Sequence, residues 1–319
     1  MKRRLFLGAV MAASLVGGVA YADFPESPIT LIVPYSAGGG TDRTARLLVP
    51  FIETHLGNGA SIVVVNRPGA GGAVGWTELA AANPNGYTIG MVNFPDVVTA
   101  PITNDVRFTP ESFVYLGSIN REPTTLSVPE NSPFQTLEDL LEAAIESPGT
   151  LSAAAPGLRN VHNIGLSILA SETGAIFNTI PFDGGGEARN AVLGGHVDVA
   201  ALSLGAVAGR EGLRILGQMS GDRADTGAGI PTFDEAVGVP VENFVIRTFA
   251  IPSGVPDDAR MSLADAFRAA MEDPGLAQAA AEQRVDLTYL TGEEIAEISA
   301  RLDRRLRALW DESPWFDAE

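Results

Sequence analysis

Glycine-rich segments lie where predicted strands give way to predicted helices at four places, and this position suits backbone binding of an anion. The segments are PYSAGGGTD (34–42), NRPGAGGAVG (66–75), APGLRNVHN (155–163) and PFDGGGEA (181–188). Glycine costs about 1 kcal/mol relative to alanine in ordered backbone, so its repetition indicates that something comes close to the main chain. Open N–H groups and a positive helix end favour an anion there. Glycine turns also occur for purely structural reasons, so both interpretations stay open.

Nucleotide-binding loops are excluded by the residues around these glycines. In GAGGAVG (69–75), Val74 stands where the dinucleotide motif G-x-G-x-x-G requires its last glycine. No Lys-Ser or Lys-Thr pair follows any of the four loops, as a phosphate-binding P-loop requires. The remaining interpretation is a cleft whose two lips are glycine-rich helix starts.

Enzyme signatures are weak. The segment ALSLG (201–205) resembles a nucleophile elbow around Ser203, but that hydrolase motif requires a histidine downstream, and His55, His162 and His196 all lie upstream. These histidines lack the spacing of metal ligands, cysteine is absent, and no pair of carboxylates stands out for acid–base chemistry. We therefore expect binding without turnover, with no metal and no cofactor. A hydrolase using Ser203 or Ser36 is the alternative from another functional class.

Short apolar runs alternate with amphipathic stretches, a pattern typical of βαβ units in an α/β protein with largely parallel sheets. The first series predicts strands at 29–34, 61–65 and 87–92 and helices at 41–56 and 71–82, with Pro50 kinking or shortening the first helix. The second series predicts strands near 113–118, 124–128, 150–154, 176–181, 197–202 and 213–219.

Two helices carry clear start signals. Thr136 and Asp139 form a predicted capping box, and Leu137, Leu140, Leu141, Ala144 and Ile145 form the predicted inward face of that helix. Thr291 and Glu294 predict the start of the last helix.

The N-terminal 22 residues have the composition of an export signal. Lys2, Arg3 and Arg4 precede an apolar run at 5–19, and Ala20-Tyr21-Ala22 has the small-x-small form of a signal-peptidase site. The segment RRLFL also resembles the twin-arginine signal of proteins exported in the folded state. We therefore expect the mature, periplasmic chain to begin at Asp23.

The remaining 297 residues exceed one typical core, so we expect two domains. We place domain 1 at 23–120 plus 247–319 and domain 2 at 121–246, joined by strand-like crossings near 119–124 and 243–249 rather than by a flexible tether. Loss of the three cationic residues changes the formal net charge from -18 to -21. Such an acidic chain does not suit nucleic acid, and it must bind an anion through local donors.

Four segments together resemble one known family. ITLIVPYSAGGGTDRTARLL, VVVNRPGAGGAVGWTELAAANPNGYTIG, PFDGGGEARNAVLGGHVDVA and IPTFDEAVG are similar to the Bug/TctC family, the periplasmic substrate-binding proteins of tripartite tricarboxylate transporters. The resemblance runs from about residue 28 to the C-terminus. It implies a two-domain type II periplasmic-binding-protein fold that closes on a small ligand, commonly a di- or tricarboxylate or an acidic amino acid, and delivers it to a membrane permease. We expect a monomer, and a co-receptor for a sensor kinase is the alternative use of the same module.

The resemblance also implies the ligand contacts, held largely through backbone amides and ordered waters. Carried over by motif, they are Tyr35, Ser36, Ala37, Gly38, Gly39, Thr41 and Asp42 from domain 1, and Pro156, Gly157, Asn160, His162, Phe182, Asp183 and Ser203 from domain 2. Asp42 is expected mainly to cap its helix. Asp183 stands where the family often has lysine, which argues against a highly charged tricarboxylate. Arg159 is a further candidate, as a bidentate carboxylate clamp or as a solvent-facing side chain.

Overall fold

A computed structural model describes residues 24–312 of the 319-residue chain. The predicted export signal at 1–22 lies outside the described residues. Among the described residues, no helix is both long and apolar enough to span a bilayer.

Nine strands and eleven α-helices make up the regular structure of residues 24–312. The strands are β1 (Ile29–Val33), β2 (Ile62–Asn66), β3 (Thr88–Phe94), β4 (Phe113–Pro129), β5 (Ser152–Ala155), β6 (Asn178–Pro181), β7 (Val199–Ser203), β8 (Leu213–Gln218) and β9 (Phe244–Pro252). The helices are α1 (Gly40–Leu56), α2 (Ala73–Ala80), α3 (Asp96–Thr103), α4 (Leu137–Glu146), α5 (Val161–Thr173), α6 (Gly185–Leu193), α7 (Leu204–Val207), α8 (Phe233–Val237), α9 (Asp257–Met271), α10 (Pro274–Gln283) and α11 (Gly292–Glu312).

The strands form two sheet regions that share the long strand β4. In the first sheet, β2, β1 and β3 are parallel, and β9 runs antiparallel between β3 and the N-terminal part of β4. In the second sheet, β6, β5 and β7 are parallel, and the C-terminal part of β4 pairs antiparallel with β7 and β8. The α/β architecture with parallel βαβ units agrees with the prediction from the alternating pattern.

Strand β4 changes partners within its length. From Phe113 to Pro123 it pairs with β9, and from Thr124 onward it pairs with β7 and β8. The segment 119–124, predicted as a strand-like crossing, therefore lies inside one continuous strand that connects the two sheets. The segment 243–249 overlaps β9 beside it. The exact domain boundaries at 120/121 and 246/247 stay a prediction.

Each sheet is buried on both faces, which explains its nearly continuous apolar strands. In β1, Leu31 packs into a core with α1, α9 and α10, and Ile32 packs into the opposite core with α2, α3 and α11. In β7, Ala201 faces the core under α4, α5 and α8, while Leu202 faces α6 and α7. Helices on both faces hold the carboxyl ends of the parallel strands in fixed positions.

Two local predictions differ from the structure. Helix α1 continues through Pro50 to Leu56, so of the two predicted effects of this proline shortening is wrong, and kinking stays a prediction. Ile145 was expected to point inward from α4, but its side chain is 46% exposed, whereas Leu137, Leu140, Leu141 and Ala144 are buried. The predicted capping box of Thr136 and Asp139 is present, with Asp139 N donating to Thr136 Oγ1 at 3.1 Å.

Candidate functional site

The carboxyl ends of the parallel strands from both sheets meet at one cleft. β1 leads into the triple-glycine loop, β3 into Asp96, β5 into the Pro156–Asn160 loop and β7 into Ser203. In open α/β sheets this edge is where ligands bind. A small inner cavity of about 30 Å³ and an outer cavity of about 650 Å³ lie here, and Asp96 lines both.

Two helix N-termini meet at the inner cavity. The N-cap residues of α1 and α6 are Gly39 and Gly184, and neither helix start has a side-chain capping bond. A methyl group placed on Gly39 would lie 3.3 Å from the amide nitrogen of Gly186, so the two starts are in contact. The first N–H groups of a helix have no partner within it, and both dipoles are positive at this end. The place where they meet favours an anion.

A seam of backbone contacts joins the two lips of the cleft. Ser36 N donates to Asp183 O at 3.3 Å, and a methyl on Gly184 would overlap Ser36 Oγ. A methyl on Gly157, whose φ is +104°, would lie 2.8 Å from Gly71 Cα. The seam therefore consists of glycine backbone and Ser36, and a larger residue at these glycines would separate the lips.

Arg247 forms the floor of the inner cavity. Its Nη1 lies 2.6 Å from Glu122 Oε2, its Nη2 donates to Ser203 Oγ at 2.7 Å, and its Nε donates to Thr41 Oγ1 at 3.1 Å. The side chains of Arg247 and Glu122 are only 3% and 4% exposed. Arg247 belongs to β9 and Glu122 to β4, which are antiparallel neighbours in the first sheet. The protein thus places a buried guanidinium where the helix starts converge.

Two hydroxyl groups beside Arg247 are oriented by the N–H groups that donate hydrogen bonds to their oxygen atoms. Thr41 Oγ1 accepts from Arg247 and from Asn93 Nδ2, the latter at 2.9 Å, and Ser203 Oγ accepts from Arg247. A hydroxyl whose lone pairs accept in this way keeps its proton for another acceptor. Both side chains line the inner cavity and can therefore donate to an anion in it.

Asp96 is a buried carboxylate on the wall shared by the two cavities. Its Oδ1 accepts from Val161 N at 2.6 Å, and its Oδ2 accepts from the Tyr35 hydroxyl at 3.1 Å. Burial raises the pKa of Asp96 to about 7, and burial together with the Asp96 charge raises the pKa of Tyr35, which stays protonated. Asp96 forms no ion pair within residues 24–312.

His162 and Asn160 belong to the start of α5. Asn160 is the N-cap, and its Oδ1 accepts from His162 N at 3.0 Å and from Asn163 N at 3.2 Å. The His162 ring lines the inner cavity and its Nδ1 lies 3.0 Å from Thr124 Oγ1. Burial lowers the pKa of His162 to about 3, so the ring is neutral at physiological pH. Groups of side chains able to hold a metal ion were not found in the described part of the chain.

The predicted site residues divide into three groups. Tyr35, Gly39, Thr41, Pro156, His162 and Ser203 line the inner cavity, and Gly157, Arg159, Phe182 and Asp183 line the outer one. The remaining five, Ser36, Ala37, Gly38, Asp42 and Asn160, line neither cavity.

Gly38, Asp42 and Arg159 instead make contacts that hold the loops. Gly38 N, expected to face an anion, donates to Asp42 Oδ2 at 2.9 Å. Arg159 Nη1 donates across the cleft to Thr103 O and lies 3.4 Å from Asn104 Oδ1, so in this conformation it joins the two lips.

Sequence reasoning missed Asn93, Asp96 and Arg247, although two signals were present. Asp96 follows the apolar segment MVNFP at the carboxyl end of a strand, where ligand groups concentrate. Arg247 interrupts the apolar run FVIRTFAI, and a charge in a buried strand needs a buried partner. The expectation that a ligand is held largely through backbone amides and ordered waters therefore left out the buried guanidinium beside the cavity.

Comparison with known proteins gives a consistent assignment. The model of the "Tripartite tricarboxylate transporter family receptor" matches residues 45–312. A Cupriavidus necator protein described as "UPF0065 protein in gbd 5'region" is 30% identical over 321 residues, covering 97% of each chain.

Solved structures share the fold. The periplasmic binding protein BugD has a TM-score of 0.82 at 24% identity, covering 91% of this chain and 98% of its own. The R. palustris protein Rpa4515, solved with adipate, has a TM-score of 0.83 at 22% identity, covering 90% of this chain and 97% of its own. The fold is thus the two-domain α/β fold of periplasmic binding proteins. With its cleft, its glycine-rich lips and this match over most of its length, the chain belongs to the tripartite tricarboxylate transporter receptor family, TctC.

Proposed function

We propose that the protein is a periplasmic receptor that binds a small organic carboxylate between its two lips and delivers it to the permease of a tripartite transporter. The observation that carries this proposal is the meeting of the α1 and α6 N-termini above the buried guanidinium of Arg247. Helix N–H groups, two hydroxyl donors and one cation all face the same small cavity. This set of donors suits a carboxylate.

Family membership supports the choice of ligand and partner. Receptors of this family belong to transporters named for tricarboxylates, and the structural neighbour Rpa4515 was solved with adipate, a dicarboxylate. The acidic net charge of -18 leaves no general positive field, so capture depends on the local donors of the cleft. We expect the carboxylate to occupy the inner cavity between Gly39, Gly185 and Arg247.

Binding without turnover fits the chemistry of Ser203. A nucleophilic serine needs a neighbouring base, but Ser203 Oγ accepts a hydrogen bond from a guanidinium that cannot take its proton. The nearby His162 ring forms its hydrogen bond to the Thr124 hydroxyl instead, through Nδ1. Hydrolysis of ester or amide substrates that disappears in Ser203→Ala would overturn this part of the proposal.

Closure is the step that would report ligand occupancy to the permease. The contacts between Ser36 and Asp183 and between Gly39 and Gly186 join different lips, so they exist only while the lips are together. A ligand that touches both lips favours this state by its differential affinity. An inner cavity of about 30 Å³ is near the volume that one water molecule occupies in the liquid, so we expect the lips to part before a ligand enters.

The proposal is tested by calorimetry and melting curves on the mature chain with a panel of small carboxylates. A ligand at 100 times its Kd should raise the unfolding free energy by about 2.7 kcal/mol. Arg247→Gln combined with Glu122→Gln removes the guanidinium without leaving an unpaired buried carboxylate, and it should weaken binding at least about 10-fold. Arg67→Gln combined with Glu78→Gln, an exposed pair, is the matched control. Absence of binding across the panel would overturn the proposal, as would unchanged uptake in a strain lacking the protein.

A further inference from the structure

Asp96 lacks the partner that a buried carboxylate normally has. Its side chain is 4% exposed and forms no ion pair within the described residues, although it faces both cavities. It accepts one backbone N–H and one hydroxyl, whereas a carboxylate has about four acceptor positions. Buried charges in proteins are paired or bind a ligand. In the empty cleft a proton can neutralise Asp96, since burial raises its pKa to about 7. A cationic donor from the cavity side can take the place of that proton.

Asn93 presents a second acceptor to the inner cavity. Its side chain is 3% exposed, its Nδ2 donates to Thr41 Oγ1, and its Oδ1 has no hydrogen-bond partner. A buried unsatisfied acceptor costs about 1–3 kcal/mol. A ligand that only accepts hydrogen bonds would leave both Asn93 Oδ1 and Asp96 unsatisfied. A ligand that also donates would satisfy them.

The mouth of the cleft is negatively charged. Asp183 and Glu187 line the outer cavity together with Asp96, and all three carry carboxylates. The one cationic side chain among the residues lining this cavity, Arg159, already donates to Thr103 O. A second ligand carboxylate pointing outward would meet three carboxylates. The cleft therefore presents guanidinium, hydroxyl and helix N–H donors at its floor and carboxylates at its mouth.

From this polarity we infer that the physiological ligand is a short amino carboxylate, with its carboxylate at Arg247 and the helix starts and its ammonium group at Asp96 and Asn93 Oδ1. This assignment rests on the proposed carboxylate receptor and narrows its substrate class. The ammonium group supplies three N–H donors and the charge that Asp96 lacks. A di- or tricarboxylate of the same length supplies neither.

The decisive experiment compares three ligands of one chain length by calorimetry on the wild-type protein: 4-aminobutyrate, 4-hydroxybutyrate and succinate. The same comparison is made with β-alanine, 3-hydroxypropionate and malonate, because the best length is set by the cleft. We expect the amino compound to bind at least about 30-fold more tightly than the dicarboxylate in at least one series, the effect typical of a buried charge pair. The hydroxy compound separates donation from charge and should bind more weakly than the amino compound.

Asp96→Asn identifies the residue responsible. The amide oxygen can still accept from Val161 N, and the variant should reduce the preference for the amino compound to about threefold or less. Asp234→Asn, at an exposed position that lines neither cavity, is the matched control and should retain the preference. Circular dichroism and the melting temperature check that both variants are folded.

The outcomes separate this inference from the proposed function. If succinate or malonate binds as tightly as its amino analogue, or if Asp96→Asn retains the preference, the amino-carboxylate assignment is wrong while the carboxylate receptor stands. If the hydroxy and amino compounds bind equally, an ammonium–carboxylate interaction at Asp96 does not contribute to binding and the assignment is likewise wrong. If no carboxylate of any kind binds, both fail.

Discussion

Arg247 shares its guanidinium between one carboxylate and two hydroxyl groups, and this sharing defines the donors of the cleft floor. Glu122 neutralises the charge, since its Oε2 lies 2.6 Å from Arg247 Nη1. Glu122 also accepts from Asn120 Nδ2 at 2.7 Å and from Gly205 N at 3.1 Å, which fixes its position. The floor can therefore attract an anion without carrying an unpaired charge while the cleft is empty.

This pairing predicts a large difference between single and double variants. Arg247→Gln leaves Glu122 buried without its cation and should lower the unfolding free energy by about 3–5 kcal/mol. Adding Glu122→Gln should restore most of that loss, because the remaining groups are neutral amides. Urea unfolding of the wild type, both single variants and the double variant measures this. Equal losses in Arg247→Gln and in the double variant would show that the pair is not the cause.

The raised pKa of Asp96 predicts an unusual pH dependence of stability. Burial raises its pKa from 3.8 to about 7, so between these values the folded protein holds a proton that the unfolded chain has lost. The unfolding free energy should therefore fall as pH rises from about 4 to about 7, by on the order of 4 kcal/mol from this group.

The measurement compares wild type with Asp96→Asn by urea unfolding at pH 5 and pH 8. The variant lacks the titration and should gain stability relative to wild type at pH 8. His162 acts in the opposite direction, because its lowered pKa of about 3 makes the unfolding free energy rise with pH up to about 6.5. The difference between the two proteins cancels that contribution. A difference that does not change with pH would contradict the prediction.

The sequence indicated the glycine backbone around the cleft better than the buried side chains beside it. The glycine segments around Gly39 and Gly185 stood out because their composition is local, and the structure brings both segments to one cavity. Arg247 and Asp96 did not stand out, because their roles depend on burial and on partners more than 60 residues away. Arg247 is separated from Glu122 by 125 positions, and Asp96 from Val161 by 65. Such pairs become visible only when the fold is known.

At the level of elements, the N-termini of α1 and α6 control the closed state. A methyl on Gly186 would lie 2.7 Å from Ala37 O. The backbone of Gly186 itself lies within helix α6 and has no positive φ, so it does not require glycine. The same methyl group would normally stabilise a helix, since alanine exceeds glycine in helix propensity by about 1 kcal/mol. Closure and local stability are therefore expected to respond in opposite directions at this position.

Gly186→Ala tests this separation. We expect ligand affinity to fall at least about 10-fold, because the added methyl keeps the lips apart, while the melting temperature of the ligand-free protein is unchanged or higher. Gly229→Ala is the control, since a methyl there meets nothing within 4 Å. Calorimetry and differential scanning calorimetry give the two readouts. Full affinity in Gly186→Ala would show that these helix starts do not need to touch.

Strand β4 shows where the sequence pattern predicts strand residues correctly and where it misplaces a strand end. The alternating apolar runs predicted strands at 113–118 and 124–128 with a strand-like crossing between them, and the structure has one 17-residue strand. The intervening residues Asn120 and Glu122 are polar but fully or almost fully buried. A polar stretch within an alternating strand pattern usually indicates that the strand ends. Here it marks the buried hydrogen-bonding groups beside the cleft floor.

At the scale of the whole molecule, the formal net charge of -18 opposes anionic ligands in the approach phase. Long-range repulsion is screened by salt, with a Debye length of about 10 Å at 0.1 M. Contacts within the cleft are screened much less. The net charge should therefore affect the association rate more than the dissociation rate.

We expect the association rate constant of 4-hydroxybutyrate, an anion, to rise about two- to fivefold between 10 and 150 mM NaCl. The rate constant of zwitterionic 4-aminobutyrate should change little over this range. Stopped-flow fluorescence measures both rates under identical conditions. A rate for the anion that falls with added salt would show that the local field of Arg247 outweighs the net charge at a distance.

The pairing of β4 with β9 has a mechanical consequence for how a ligand is recognised. Strand β4 is shared by the two sheets, and the ion pair of Glu122 and Arg247 joins it to its neighbour β9. Groups on the shared strand should move least when the two sheets flex about it, whereas Gly39 and Gly186 belong to helix starts on different lips and meet only when the lips close. A carboxylate can thus bind to Arg247 before the two helix starts come together. Loading and selection then become consecutive steps, the first governed by the floor and the second by the helix starts.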